Sequence, residues 1–504
     1  MSSSVEMEMK LVIARKDLNK FFAQTLIKNS IIAGSEKKLA IENYYYDTSD
    51  YKISNAGMSY RIRRTDKKLE ATVKTQGEAG GGFSAREEYT VPLKKNEPIL
   101  TGFANNFDNK LQTLLADEDL QIMFKIIVDR EVSLLQITPD TVIEMAVDEG
   151  EILVAQRMEK IHEVELEIKS GTKADLFVFV AKLAEKLPIF IEPKSKFQRG
   201  LELLAGKKEK NKILDNKLDI DPAGNAETEF KKLIVHSISN ILEKQNILRS
   251  KDNLIDVDKL LLADIKRLRA LIDFIEPLLE KKDYENYKAI ITEFNEPLQK
   301  LYVIKRFIKQ WKSIYKNVGT MLRTNVLLER LNERREEITK NIFKQVNSGF
   351  YTAGLFKIIA QLEVTTWQGA NFLQMDQFAL HRLKNWHERL LGIEINNEKL
   401  QEDTAREMRK IIEVMVMVRS STKIGRLDKE TYGYLKALYR NLKVLNFDIY
   451  GHKDILAFLQ GTNSRVLYRD AGLLLGYRLS EMPKVWRKVQ KSWNVLLAAL
   501  KKKK

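Results

Sequence analysis

Cysteine is absent from the 504 residues. That excludes a disulfide framework, a thiolate zinc site and cysteine nucleophilic catalysis together. Histidine is scarce: His162, His236, His381, His387 and His452 are the five, and no two share a short metal-binding motif. Long apolar runs are missing as well, none reaching the roughly 18 uncharged residues of a membrane span. The first ten residues already carry Glu6 and so do not read as a secretory segment. These absences set the expectation of a soluble, cytoplasmic protein with no membrane partner. The length suggests about three structural units of roughly 150 residues each.

What is present is charge, unevenly divided. The net charge is +16. Residues 1–205 hold 29 Lys and Arg against 32 Asp and Glu, whereas residues 206–504 hold 56 against 37. The basic excess therefore belongs wholly to the second part, where its field attracts polyanions. In the first part the charges balance but are segregated strand by strand.

Residues 1–205 read mostly as strand, with period-two alternation or strand-rich composition at Val5–Ile13, Leu39–Asp47, Met58–Arg64, Leu69–Thr75, Ser84–Val91, Gln121–Thr138, Thr141–Gly150 and His162–Lys169. Helical periods occur at Lys16–Lys28 and Lys173–Lys186. Gly80-Gly81-Gly82 lacks the Lys-Ser/Thr ending of a phosphate-cradling loop and reads as a hairpin turn. Residues 206–226 are polar and aperiodic, a linker. Residues 227–504 show helical periods with breaks near Lys251–Asn253, Pro277, Pro297, Asn347–Gly349, Gly392–Asn397, Thr422–Gly425, Gly451 and Gly461–Ser464. That predicts eight to ten helices in two packed bundles. Trp311, Trp386 and Trp493 lie on these helices as core residues.

On a strand, side chains at i, i+2 and i+4 share a face. Glu6, Glu8 and Lys10 therefore point together, as do Arg61 with Arg63, Thr72 with Lys74, Arg86 with Glu88, Glu144 with Asp148, and Glu163 with Glu165 and Glu167. The opposite faces are apolar. A solvated sheet face gains from mixed signs, since like charges side by side repel, yet here the signs cluster. Carboxylate strands beside Arg/Lys strands make sense where one face holds divalent cations and a polyanion together. Hard cations take oxygen ligands and share them with phosphate, and arginine forks match phosphate oxygens.

These residues carry a family resemblance. Glu6-Met-Glu8-Met-Lys10 resembles the ExExK signature of the CYTH domain, the triphosphate tunnel metalloenzymes. In the family's order there follow Tyr45-Tyr46-Asp47-Thr48 with Gly57 and Tyr60-Arg61-Ile62-Arg63, then Lys74, Arg86-Glu-Glu88-Tyr89 and Asp129-Arg130. Glu144 to Glu151, Glu163-Val-Glu165-Leu-Glu167 and Ser195-Lys196-Phe-Gln-Arg199-Gly200 complete the set. The resemblance implies an α+β protein whose residues 1–205 form an eight-stranded antiparallel β tunnel, ahead of an all-α helical-bundle domain over 227–504. It implies metal-dependent hydrolysis of inorganic triphosphate to pyrophosphate and phosphate. Thiamine triphosphatase and adenylate cyclase are the alternatives within the family. Glu6, Glu8, Glu163, Glu165 and Glu167 would hold Mg²⁺ or Mn²⁺. Lys10, Arg61, Arg63, Lys74, Arg86, Arg130, Lys196 and Arg199 would clamp phosphate oxygens, and Glu6, Glu8, Lys10 and Glu165 would carry the chemistry. Asp148 and Glu88 either join them or fix the basic side chains by ion pairs.

The basic part presents same-sign stripes at helical spacing: Lys305, Lys309, Lys312 and Lys316; Lys429, Lys436, Arg440 and Lys443; Lys484, Arg487, Lys488 and Lys491. It resembles a CHAD domain in Ile265-Lys-Arg-Leu-Arg269, Val318-Gly319 through Leu331, Phe378-Ala379 to Gly392, and Tyr450-Gly451 to Asp454. It departs from that pattern at Lys259, Asp403, Leu262, Arg323 and Asn325. The resemblance implies binding of long-chain polyphosphate, for which Lys305, Lys309, Lys312, Lys316, Lys436, Arg440 and Lys443 are the candidates. A polyphosphate-binding scaffold with little turnover is the competing function. Nucleic acid is not the expected partner, since no zinc-finger or RNA-recognition signature accompanies the charge.

Overall fold

The computed structural model describes residues 3–66, 68–75, 77–116, 118–206, 218, 220–249, 257–322, 324–369, 373–393, 402–422, 429–449 and 452–501. Most of the expected linker, the breaks at Lys251–Asn253 and Gly451, and Arg323 and Tyr450 of the CHAD-like motifs lie outside the described residues.

Ten strands are present: β1 Ser3–Val12, β2 Lys37–Asp47, β3 Ser59–Arg64, β4 Leu69–Lys74, β5 Glu78–Gly80, β6 Phe83–Pro92, β7 Gln121–Gln136, β8 Val142–Val154, β9 Arg157–Ser170 and β10 Phe190–Ile191. All pair antiparallel, in the order β10-β1-β9-β8-β7-β2-β3-β4-β6-β5, and β6 also pairs with β1. That last pairing closes eight strands into a barrel, with β5 and β10 added at its margins. Closure removes the open edges that an eight-stranded sheet would otherwise present. Gly81 and Gly82 make the turn between β5 and β6 at φ +61° and +82°, a backbone region that suits glycine.

Alternation then gives each strand one face inside and one outside. Outside, Tyr60, Ile62, Ala71 and Val73 are fully buried beneath Phe103, Phe107, Leu111 and Leu115. The last three lie on the helix Asn105–Leu115, which the sequence reading did not anticipate. A second apolar cluster joins Tyr45, Phe124, Ile126, Val128, Ile152, Val154 and Ile161, with Phe197, Leu201 and Leu204 packed against it. The last three belong to the helix Lys196–Ala205. Gly200 in this helix has no room for a side chain: a Cβ there would lie 2.2 Å from the Phe124 ring. The expected helix Lys16–Lys28 is two short ones, Arg15–Phe22 and Thr25–Lys28, because the chain turns extended at Gln24.

The chain divides into two compact units. The first comprises residues 1–217, 238–251 and 346–365, and the second residues 218–237, 252–345 and 366–504. This differs from a division at the polar stretch 206–226. Within the first unit the helix Phe350–Val364 packs on the helix Lys173–Ala184, with Phe177 and Phe356 ring centroids 5.7 Å apart. There Thr352 donates to the Ile189 carbonyl and Asn246 to that of Ile191. Helical period reveals that such segments are helices but not which surface their apolar faces cover.

From Ala226 onward the described residues form ten α-helices, within the expected number. Pro297 does not break its segment, which is one 42-residue helix, Lys281–Leu322. Buried Phe294, Leu298 and Leu301 on either side of the proline supply packing that outweighs one lost backbone hydrogen bond. Trp311, Trp386 and Trp493 are buried. Among the described residues no helix is long and apolar enough to cross a membrane.

Candidate active site

The interior of the barrel encloses a cavity of about 400 Å³, within the size range of ligand sites. Twelve of the thirteen residues expected to hold metal or phosphate come from inward faces of the strands and from the helix start at Lys196. All of them except Glu163 line the cavity. Glu163 is 3% exposed and sits behind it. The thirteenth, Arg199, departs from expectation. Its guanidinium donates to Glu159 at 2.7 Å, to Glu163 at 2.9 Å and to the Lys160 carbonyl, and it is not among the lining residues. Lying one turn beyond Lys196 on a helix, it faces the strand rather than the lumen.

Strand register decides which charges meet. Glu163 is opposite both Val12 and Asp148, Glu165 is opposite Lys10, and Glu167 is opposite both Glu8 and Glu144. Oxygens of Asp148, Glu163 and Glu165 lie within 4.8 Å of one another. The Lys196 ammonium sits among them, 2.8 Å from Asp148 and 2.8 Å from Glu165, and is paired with Glu163. Arg130 grips Asp148 through Nε at 2.7 Å and Nη2 at 2.6 Å, and reaches Glu165 at 2.5 Å. Glu6 and Glu8 do not join this triad. Glu6 pairs with Lys74 and Glu8 with Lys10, while Lys169 holds Glu167 at 2.8 Å and Glu144 at 3.6 Å. Glu88 accepts from Arg61 at 3.4 Å and lies 3.3 Å from Lys74.

These contacts set the protonation of the site. Burial pushes the Glu165 carboxyl up, but Lys196, Arg130 and Lys10 overcome it and hold the group well below the ordinary carboxylate range. Asp148 is likewise lowered against its burial by Lys196 and Arg130. Glu88, desolvated but facing Lys74 and Arg61, falls to about 2. Glu6 goes the other way. Burial raises it, and Glu8 and Glu88 add to the rise against the pull of Lys74. Burial also raises Glu167.

Arg63 stands apart. It donates to the Asn43 side chain at 3.0 Å but makes no carboxylate pair among the described residues. Burial together with nearby Arg61 and Arg130 lowers it to about 10. A desolvated guanidinium crowded by two others is a place prepared for an anion. Arg86 lines the same cavity and also makes no ion pair among the described residues.

The sequence reading left Glu144, Lys169 and Asn43 out of the site, although all three line the cavity. The signal was present: Lys169 continues the i, i+2 series of Glu163, Glu165 and Glu167, and Glu144 shares the face of Asp148. Ser195 caps the helix that delivers Lys196, accepting from the Gln198 backbone while Gln198 returns the bond.

In the helical unit the polyphosphate candidates have diverse surroundings. Lys309, Lys312, Lys316, Lys436 and Arg440 are exposed. Lys305 pairs with Asp258 at 2.7 Å, and Lys443 lies over the Tyr302 ring. Lys309 lines a cavity of about 320 Å³ together with Arg306 and Arg478.

Residues 4–201 match the family described as the CYTH domain. Over 195 residues the chain is 32% identical to the inorganic triphosphatase of Haemophilus influenzae, a match covering 39% of this chain and 54% of the relative. It thus spans about half the length of that relative. One similar solved structure is a candidate adenylyl cyclase from Hippeastrum described as having a dominant triphosphatase activity. It is 17% identical, covers 40% of this chain and 96% of its own, and has a TM-score of 0.27. The CHAD domain of Ricinus communis is 12% identical, covering 55% of this chain and 94% of its own at a TM-score of 0.38.

Proposed function

Residues 4–201 form a CYTH domain, and on that premise we propose that this chain hydrolyses inorganic triphosphate to pyrophosphate and phosphate within the barrel, with Mg²⁺ or Mn²⁺. The observation that carries the reading is Arg63, a half-buried cation with no carboxylate pair among the described residues, beside Arg61 and Arg130. The lining of the cavity has eight basic side chains against seven carboxylates. Such a near-neutral lumen accommodates a triphosphate only if the polyanion brings cations with it, and that supports metal dependence.

Asp148, Glu163 and Glu165 fit a hard divalent cation: three carboxylates converge on one point, already matched to a positive charge. A divalent cation there would neutralise phosphate oxygens and acidify a water. The protein's own work is positioning. Arg61, Arg63, Arg86 and Lys74 present donors along the phosphates, and Arg130 stays locked to Asp148 and Glu165 so that its charge needs no reorganisation. Glu6 and Glu167, whose proton affinity burial raises, are suited to accept a proton from the attacking water.

For the helical unit we propose binding of long-chain polyphosphate, supported by its exposed lysine stripe and by the convergence of Arg306, Lys309 and Arg478 on one cavity. The catalytic reading is tested by phosphate release from tripolyphosphate, ATP and thiamine triphosphate, with each metal and with a chelator. Metal-dependent release from tripolyphosphate, lost in Glu6→Ala/Glu8→Ala, is expected. Preferred release from thiamine triphosphate or ATP would move the activity elsewhere in the family. No release from any substrate would leave a binding protein.

A further inference from the structure

One side chain fills the carboxylate triad. The Lys196 ammonium touches Asp148, Glu163 and Glu165 at once, the same three groups whose oxygens lie within 4.8 Å of one another. Three ionised carboxylates that close repel strongly in a desolvated site, so a cation must stand among them. Arg130 and Arg199 supply part of that charge, but both are fixed. Arg130 is bound two-pronged to Asp148, and Arg199 bridges Glu159 and Glu163. Lys196 differs in chemistry. It is a point charge on a flexible four-carbon stem, able to leave without breaking a planar fork.

Its backbone is anchored independently of its ammonium. Lys196 is the first residue of its helix, behind the Ser195–Gln198 capping box, and Gly200 lies flat against Phe124. The ammonium can therefore move while the helix stays seated, and Lys196 also lines the cavity.

We infer that Lys196 is a built-in counter-cation. It fills the triad in the metal-free protein, yields that place when a divalent cation binds, and carries its charge to the phosphates in the lumen. The inference rests on the triad being the cation site proposed above. Two consequences follow. Cation binding is weakened by the competing ammonium, and the cation's arrival frees a phosphate ligand, so loading of cation and of polyanion reinforce each other.

The test is Mn²⁺ binding to the full-length protein by calorimetry, without phosphate, for wild type, Lys196→Met and Arg63→Met. Lys196→Met is expected to tighten Mn²⁺ binding about tenfold or more, the scale of one charged hydrogen-bonded contact. Its melting temperature in chelator should fall, and its Mn²⁺-induced rise should exceed that of wild type. Arg63→Met removes a lumen cation that bonds to none of the three carboxylates, so its effect on Mn²⁺ affinity should be much smaller. A variant-free arm labels wild-type lysines by reductive methylation, read by mass spectrometry. Mn²⁺ should increase labelling of Lys196 relative to chelator. Unchanged or weaker Mn²⁺ affinity in Lys196→Met, equal tightening in Arg63→Met, or Mn²⁺-independent labelling of Lys196 would each overturn the inference. If tripolyphosphate hydrolysis still requires metal in those cases, only the displacement fails. If wild type binds no Mn²⁺, the cation site and the inference fall together.

Discussion

Arg130 and Asp148 are register partners across β7 and β8, joined by two parallel hydrogen bonds at 2.7 and 2.6 Å. The pair is the fixed centre of the ionic lumen, since Arg130 also holds Glu165 and Asp148 also holds Lys196. A buried ion pair of this kind adds little net stability against an apolar substitute, but removing one partner leaves part of the other's hydrogen bonding unmet.

Asp148→Ala is therefore expected to destabilise the protein by about 1–3 kcal/mol, the usual cost of buried donors left without an acceptor, since Arg130 keeps Glu165 and Lys196 keeps Glu163 and Glu165. Asp148 is completely buried, so water cannot replace the carboxylate. Denaturant unfolding measures the loss. A change below ~1 kcal/mol, the range of an exposed pair, would contradict the rigid role given to Asp148.

Arg63→Met should behave in the opposite way. Arg63 has a neutral partner in Asn43 and cationic neighbours in Arg61 and Arg130. Its removal relieves repulsion, so the substrate-free protein should melt at the same temperature or higher. Activity toward tripolyphosphate should drop about 100-fold, as for loss of one preorganised donor to developing charge. Steady-state kinetics and a thermal melt on the same preparation separate the two effects. A large fall in melting temperature would mean that Arg63 is structural.

The alternation that groups these charges is plain in the sequence, because a strand repeats every two residues: Glu6, Glu8 and Lys10, or Glu163 and Glu165, declare one face without further information. Which charges meet is not declared. Asp148 joins Glu163 and Glu165 because the two-residue turn at Ala155 and Gln156 sets the register of β8 on β9, and alternation along either strand does not reveal where that turn falls. The five glutamates expected to hold metals are for this reason not gathered at one point: Glu163 and Glu165 converge with Asp148, while Glu6, Glu8 and Glu167 are each paired with a lysine. The position of Arg199 was hidden by a change of period. It shares a motif with Lys196, but on a helix three residues' separation turns its side chain onto Glu159 and Glu163. The helix through Pro297 was hidden likewise, since the packing that preserves it is tertiary.

Acidification should unfold the barrel unit in a defined window. Glu88 titrates at about 2 in the folded protein against an ordinary value of 4.5, and Asp148 and Glu165 are lowered as well. A carboxyl with a depressed folded value contributes stability that is fully present above its unfolded value and is lost as pH falls through the folded one. Stability should therefore decline from pH ~4.5 toward pH ~2. Glu6 and Glu167, raised by burial, act with the opposite sign and blunt the upper edge of the fall. Unfolding followed by circular dichroism between pH 7 and pH 2 measures this. Glu88→Gln should flatten the acid limb, and an unaltered limb would exclude Glu88 as a contributor.

Lys309, Lys312 and Lys316 form an exposed stripe with no carboxylate pair among the described residues, whereas Lys305 in the same series is neutralised by Asp258. A polyanion lying along the stripe would release counterions from its own phosphates, so affinity should fall with salt in proportion to the cations engaged. In the full-length protein, Lys309→Gln/Lys312→Gln/Lys316→Gln should weaken binding of long-chain polyphosphate. The slope of log affinity against log salt should shrink by about 2, as for a few lost phosphate contacts to a flexible strand. Lys305→Gln should change that slope far less, because its charge already has a partner. The measurement is fluorescence anisotropy of labelled polyphosphate across a salt series, with Glu6→Ala/Glu8→Ala in the background to prevent turnover. Equal slopes in wild type and the triple variant would remove the stripe, Lys309 included, from the binding surface and leave Arg306 and Arg478 of the nearby cavity to account for any affinity that remains.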